Sequence, residues 1–287
     1  MNKLKSILSL ILIASILTSC ASSANLSSNP YLKDKWNENL SRSDMNEIQS
    51  GEKIHREIMN SFSLYTERQV NIYVNQVSKN IAQHSQRPHL PYVCTVLTSD
   101  KIYATGAPGG YIYITTGFIN YLDNEAELAG VLAHEIAHLQ YRNPKYSTSK
   151  KTLEVVEVIV GVAGGVFGPI GMLAFVGVAA LNVLTDEKGL DKRVLIADKR
   201  ALEFMQKAGY DPQGLVDVLY KLIYSEPQLV PYMMDYYRSR PVSADRMLNI
   251  GKVFDGLEFQ NVTYNTHREK YLTMMSSVKQ LYTADRF

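Results

Sequence analysis

The chain has 287 residues, of which 46% are hydrophobic and 20% are charged. That is enough apolar material for one large domain or two small ones, and it excludes a chain that is disordered throughout. The formal net charge is +2 at pH 7 and no basic stripe is present, so a nucleic-acid partner is not expected.

The N-terminus has the pattern of a secretory signal peptide, with two lysines followed by about eleven mostly apolar residues from Ile7 to Leu17. The Leu-Thr-Ser-Cys sequence that ends at Cys20 resembles the lipobox of bacterial lipoproteins. We therefore expect residues 1–19 to be removed and Cys20 to carry the acyl chains that anchor the protein in a membrane. Ordinary cleavage at small residues, with Cys20 left as a free thiol, is the alternative.

Residues 20–43 include a stretch of Ser, Asn and Ala that cannot bury a core, and we interpret them as a flexible tether between the lipid and a domain at 44–287. Cys94 is the one cysteine in the sequence of that domain, so no intrachain disulfide is available. It lies in a strand-like run and is expected to be a small buried core residue.

Apolar spacing and turn residues predict two helices and two strands in the first part of the domain. The predicted elements are helices from Ser43 or Asp44 to Phe62 and over 70–81, strands at Tyr92–Thr98 and Tyr111–Thr116, and a Gly-Ala-Pro-Gly-Gly turn at 106–110. A helical stretch follows at once, so the pattern predicts a small sheet beside that helix.

This third helix contains the sequence His-Glu-Ile-Ala-His, an HExxH motif. Its start is predicted by a capping box formed by Asn124 and Glu127. His134 and His138 are four residues apart, so a helix places both imidazoles on one face, where they can hold one metal ion. Imidazole suits Zn²⁺, which acidifies a bound water, and Glu135 can then act as general base. Two histidines in an amphipathic helix by chance are the alternative.

The strand before the motif helix is our candidate for substrate binding. In zinc proteases of this layout that strand offers a free edge, to which an extended substrate adds as a further β-strand. Tyr111 and Tyr113 lie on this predicted edge strand. An ordinary core strand with aromatic packing is the alternative.

An apolar helical segment is expected at 155–184, because residues 158–184 contain no charged side chain. Three interpretations stay open: a helical hairpin packed on the domain or on a partner, a surface that dips into a membrane, and a membrane span. Gly168-Pro169 in the middle of the segment argues against the span.

Four more helices are predicted after this segment, and with them the fold class is α+β and mainly α. The predicted helices are Asp191–Ala208, Pro212–Tyr224, Ala244–Phe254 and Thr266–Thr283.

Several segments, in order along most of the mature chain, resemble the gluzincin metallopeptidase family that includes HtpX, the CAAX prenyl protease and BepA-like periplasmic proteases. The matching segments are Ala-Pro-Gly-Gly-Tyr-Ile-Tyr-Ile-Thr-Thr-Gly at 107–117, Glu127 to His138, Ala197-Asp198, and Gly-Tyr-Asp-Pro at 209–212. The resemblance implies a zincin-like domain with zinc bound by both histidines and Glu135 as the catalytic residue. It also implies a glutamate ligand four residues before Asp198, and that Asp198 orients a histidine ligand.

The sequence departs from the family at that ligand, because position 194 is Val194. Asn143 stands where a second histidine often follows the motif, and Arg240 stands where some members carry a histidine that covers the metal. With the two histidines alone, we expect weak metal binding unless another carboxylate completes the zinc site. The alternatives are Asp191, one turn before Val194, Asp198 and Glu187.

The resemblance implies a membrane-anchored zinc metalloendopeptidase of the bacterial cell envelope that acts on protein or peptide substrates in protein quality control. If the source is Gram-negative, Ala21 after Cys20 favours the periplasmic face of the outer membrane. A catalytically inactive family member, acting as a binding or chaperone lipoprotein with envelope-assembly partners, is the alternative. A structural lipoprotein without an active site is a third class, but it leaves the motif unexplained.

Overall fold

The structure, a computed structural model, describes residues 40–140, 187–224, 242–257 and 264–283, with the backbone alone at 187–191 and 283. The interpretations that concern residues 1–39, the apolar segment 155–184, Asn143 and Arg240 lie outside these ranges and stay predictions. No helix within the described ranges is both long and apolar enough to cross a membrane.

Nine helices account for most of the described chain. They are α1 (Arg42–Ser61), α2 (Arg68–Gln83), α3 (Thr116–Tyr121), α4 (Glu125–Gln140), α5 (Glu187–Lys207), α6 (Gln213–Ile223), α7 (Ala244–Asp255), α8 (Arg268–Met274) and α9 (Ser276–Thr283). The predicted helices that fall within the described ranges are all present, although the last is divided into α8 and α9, and the short α3 was not predicted.

Three strands form a mixed sheet: β1 (Val93–Leu97), β2 (Ala104–Ala107) and β3 (Tyr111–Thr115). β3 is central, parallel to β1 and antiparallel to β2. The fold is therefore α+β and mainly α, as predicted. Sequence analysis missed β2, because a four-residue strand that contains glycine gives almost no periodic signal. Only Pro108–Gly110 form the turn that was predicted at 106–110.

The prediction that Tyr111 and Tyr113 lie on a free edge is wrong. Their strand is paired on both sides, so its backbone groups are already used within the sheet. Both tyrosine side chains are buried, and both pack against His55 of α1. His55 Nδ1 lies 2.9 Å from the Tyr113 hydroxyl. The alternative, a core strand with aromatic packing, is what the structure contains.

Helix α1 fixes the turn between β2 and β3. Its N-cap is Ser41, two residues before the earliest predicted cap, and Asp44 completes a capping box with it. Gly109 adopts a φ of +82°, a left-handed conformation that glycine tolerates without strain. Its N–H donates to Glu47 Oε1 of α1 at 3.1 Å. This hydrogen bond attaches the turn between β2 and β3 to α1.

Helix α4 lies at the centre of the core, and its residues 125–137 are all buried. It packs against α2, α5, α6 and β2. Cys94 of β1 is 1% exposed, as predicted for a small core residue. Burial raises the pKa of its thiol well above the ordinary value, so this cysteine is protonated and unreactive at neutral pH.

Candidate metal centre

The start of α4 is fixed by polar contacts from two segments. Asn124 Oδ1 accepts the Glu127 N–H at 2.9 Å, as the predicted cap requires, while the Glu127 carboxylate accepts the Asp123 N–H at 2.9 Å. Lys221 of α6 lies 2.7 Å from Glu127 Oε2. These contacts stabilise the first turn of the HExxH helix.

His134 and His138 face each other on one side of α4. Their Nε2 atoms are 3.0 Å apart and their rings are nearly perpendicular, at 82°. Two nitrogen ligands of a tetrahedral zinc ion, each bound at about 2.0–2.1 Å, lie roughly 3.3 Å apart. The two imidazoles are thus arranged close to the separation of a zinc ligand pair.

Asp198 of α5 lies on the other side of His134, with Oδ1 2.8 Å from Nδ1. Because a carboxylate only accepts hydrogen bonds, this contact favours the proton on Nδ1 and leaves the Nε2 lone pair directed towards His138. This is the contact that the orienting role implied by the resemblance requires. Asp198 lies away from Nε2, so the alternative in which it completes the ligand set does not fit this geometry.

Arg246 of α7 holds the same carboxylate. Its Nε donates to Asp198 Oδ2 at 2.7 Å and its Nη2 donates to Oδ1 at 2.9 Å. Burial by itself raises the pKa of Asp198, but the charge of the Arg246 guanidinium and its hydrogen bonds to the carboxylate lower it to about 2. The carboxylate is therefore ionised at neutral pH. Sequence analysis missed Arg246, since a basic residue on a predicted helix carries no local sign of a partner 48 residues away.

Glu135 is buried, 1% exposed, and its Oε2 accepts the Gly106 N–H at 3.1 Å. Gly106 lies on β2. Because the Thr115 N–H donates to the Tyr103 carbonyl oxygen, the alternation of an antiparallel pair directs the backbone groups of Thr105 and Ala107 to β3 and those of Gly106 away from it. A Cβ at position 106 would lie 3.0 Å from the Leu139 side chain and 3.3 Å from the Glu135 carbonyl oxygen. The absence of a side chain thus permits the close approach of β2 to α4.

Val194 is buried in α5, one helical turn before Asp198. Within the described residues, no group of three His, Cys, Asp or Glu side chains is placed to hold a metal. Asp191 and Glu187 lie on the described backbone of α5, but their side chains are outside the description, so both stay predictions as third ligands. The described donor set fits zinc with two imidazole ligands.

A mainly helical domain with HExxH on a buried helix beside a small mixed sheet is the arrangement expected of a zincin-like metallopeptidase. The model of peptidase family M48 matches residues 68–253, and the chain belongs to that family. The matched range contains the histidine pair, Glu135, Asp198 and Arg246. It also contains all the segments, between residues 107 and 212, on which the sequence resembles metallopeptidases of this kind.

Curated relatives are similar over most of the same region. The chain is 25% identical over 182 residues to the beta-barrel assembly-enhancing protease of Escherichia coli K12, covering 62% of this chain and 37% of that protein. It is 27% identical over 205 residues to protease HtpX of Legionella pneumophila, covering 63% of this chain and 71% of that protein. The chain thus spans little more than a third of the first relative's length.

Proposed function

We propose that this protein is a zinc-dependent metalloendopeptidase of the bacterial cell envelope, anchored through Cys20 and active in protein quality control. The observation that carries the proposal is the convergence of His134 and His138 on one face of α4, with Glu135 buried beside them. Membership of peptidase family M48 supports a peptidase, and the names of the relatives support a place in envelope assembly.

His134 and His138 would hold the zinc; Asp191 and Glu187 are the candidates for a third ligand, and the zinc affinity of Val194→Glu tests whether either of them completes the site. When bound, zinc polarises a water molecule and the peptide carbonyl. Glu135 accepts the proton of the attacking water and delivers it to the leaving amine nitrogen. The Gly106 N–H holds the carboxylate in place for both transfers.

We place the substrate along the outer edge of β2 instead of the tyrosine strand. The backbone groups of Ala104 and Gly106 are directed away from β3. The Gly106 N–H is bonded to Glu135, so the Ala104 groups and the Gly106 carbonyl oxygen are the ones offered to a substrate. An extended peptide that adds to this edge is bound through its backbone, with little demand on its sequence. Such binding suits unfolded or misassembled proteins, which supports a role in quality control.

The test is hydrolysis of an unfolded protein by the purified full chain in detergent, with added zinc. We expect the wild type to cleave the substrate, a chelator to stop cleavage, and Glu135→Gln to abolish it while zinc binding is kept. Elemental analysis should find about one zinc per chain in the wild type and none in His134→Ala.

Failure of the wild type to cleave, despite bound zinc, would overturn the catalytic proposal. Binding of the unfolded substrate without cleavage would then identify the inactive binding protein that the family departure at Val194 suggests.

A further inference from the structure

The contact between Arg246 and Asp198 is one of the most deeply buried ion pairs in the described part of the chain. The two side chains are 2% and 0% exposed. Both Asp198 oxygens receive a guanidinium N–H, at 2.7 and 2.9 Å, in a fork geometry that lysine cannot reproduce. A pair with these distances fixes the plane of the carboxylate.

That fixed carboxylate determines the orientation of His134. Asp198 Oδ1 lies between Arg246 and His134 Nδ1, and it contacts both within 2.9 Å. The imidazole is 2% exposed, so bulk water offers no substitute acceptor for its N–H. If the carboxylate turned, Nδ1 would lose its partner and Nε2 would lose its fixed direction towards His138.

The position of Arg246 is itself set by the start of α7. Ser243 is the N-cap of this helix, and its Oγ accepts the Arg246 N–H at 3.1 Å. Helix α7 also packs against α5, which carries Asp198. The arginine is therefore held by a helix that contributes no proposed metal ligand.

We propose that Arg246 is a positioning residue of the metal centre: by clamping both oxygens of Asp198 it fixes the ring orientation and the tautomer of His134. The inference rests on the proposed function for the metal, but it does not require that the protein hydrolyses peptides. Its consequence is that removing Arg246 weakens metal binding although the arginine touches no metal.

The experiment measures zinc affinity of the detergent-solubilised full chain by competition with a chromophoric chelator. Arg246→Met should weaken zinc binding about 10–100-fold, the usual cost of losing a residue that supports a ligand. Arg246→Lys should recover part of this loss, since it restores the charge without the fork. The absorption spectrum of the Co²⁺-loaded chain should change in Arg246→Met, because it reports ligand geometry.

Lys221→Met is the matched control. It removes a partly buried cation–carboxylate contact between α6 and Glu127, which lies in the first turn of α4, at the end of that helix remote from the histidines. We expect a loss of stability with unchanged zinc affinity. A double-mutant cycle completes the test: if Arg246 acts through Asp198, adding Arg246→Met to Asp198→Asn should weaken zinc binding no further.

Zinc affinity of Arg246→Met equal to that of the wild type, or a loss matched by Lys221→Met, would overturn the proposal, and so would additive losses in the cycle. If Arg246→Met does not fold, Arg246→Lys decides by the same measurements. A wild type that binds zinc but cleaves no substrate would count against the proposed peptidase. It would not affect this inference, which the zinc affinities of the variants decide.

Discussion

His134 and Glu135 of the candidate centre are each held by residues from other segments. Asp198 and Arg246 fix His134, and the Gly106 N–H holds Glu135. A buried polar group without such a partner costs about 1–3 kcal/mol, so these contacts are also needed for stability. At the residue scale, the orientation of His134 and Glu135 therefore depends on hydrogen-bond partners outside the HExxH motif.

Gly106→Ala should lower kcat/KM for an unfolded substrate by about tenfold to a hundredfold, because the new Cβ pushes β2 away from α4 and displaces the partner of Glu135. Zinc affinity should stay unchanged, since neither histidine moves. Gly251→Ala is the control, as nothing lies within 4 Å of a Cβ there. Equal activity of both variants would show that the Gly106 contact has no catalytic role.

Val194→Glu should tighten zinc binding by about tenfold or more, because it places a carboxylate one turn from Asp198 on α5. The zinc-free variant should melt at a lower temperature than the wild type, since a buried charge without a metal is costly, and added zinc should reverse this loss. Calorimetric titration and thermal unfolding measure the two effects.

Val194→Gln is the neutral comparison for that variant and should gain no affinity. Unchanged zinc affinity in Val194→Glu would mean that another residue, such as Asp191 or Glu187, already completes the site.

At the scale of elements, an ion cluster joins α1 to the end of α4. The Arg87 guanidinium lies 2.5 Å from Asp44 and 2.6 Å from Glu47, and it also donates to the Leu139 carbonyl oxygen at 3.4 Å. Glu47 in turn holds the Gly109 N–H of the turn. Helix α1 thereby links the sheet edge to the last turn of the HExxH helix.

This cluster predicts a pH dependence of stability. Burial opposes ionisation of Asp44, but hydrogen bonds from Ser41 and Arg87 lower its pKa to about 2. A lowered folded-state pKa gives stability that is present above the unfolded pKa near 4 and lost as the pH falls towards 2. Asp44→Asn should therefore lower the free energy of unfolding by about 1 kcal/mol at pH 7, after allowance for solvent screening, and by almost nothing at pH 2.

Urea unfolding of both proteins at pH 7, 4 and 2 measures that difference. Asp255→Asn, at an exposed position, should show no such trend. A constant difference between wild type and Asp44→Asn at all three pH values would contradict the ion-pair origin.

At the scale of the whole molecule, our proposal is that residues 20–43 tether the folded domain to a membrane surface through Cys20. Cys20→Ala should move the protein from the membrane fraction to the soluble fraction, because the acyl chains supply the anchor. Cleavage of a soluble unfolded substrate should be unchanged, since the centre lies in the domain. Fractionation and the peptide assay test both statements, and retention of Cys20→Ala in the membrane would point to another anchor.

The elements with a strong local signal were predictable. The helices follow apolar spacing, and the Asn124 cap and the HExxH spacing place the metal-binding face of α4. β2 was missed because four residues with a glycine give no periodicity, and a free edge was therefore assigned to β3, which is the central strand. Strand order within a sheet is a non-local property, so sequence spacing alone did not reveal that β3 is central.

What the sequence determined by itself is the chemistry of one helix and the family to which the chain belongs. Four-residue spacing on a helix forces two imidazoles together, whatever surrounds them. Only the tertiary structure decided that Gly106 supports Glu135 and that Arg246 clamps Asp198. These contacts join residues 29 and 48 positions apart. They exist because packing brings β2 to α4 and α7 to α5, and no local pattern encodes such approaches.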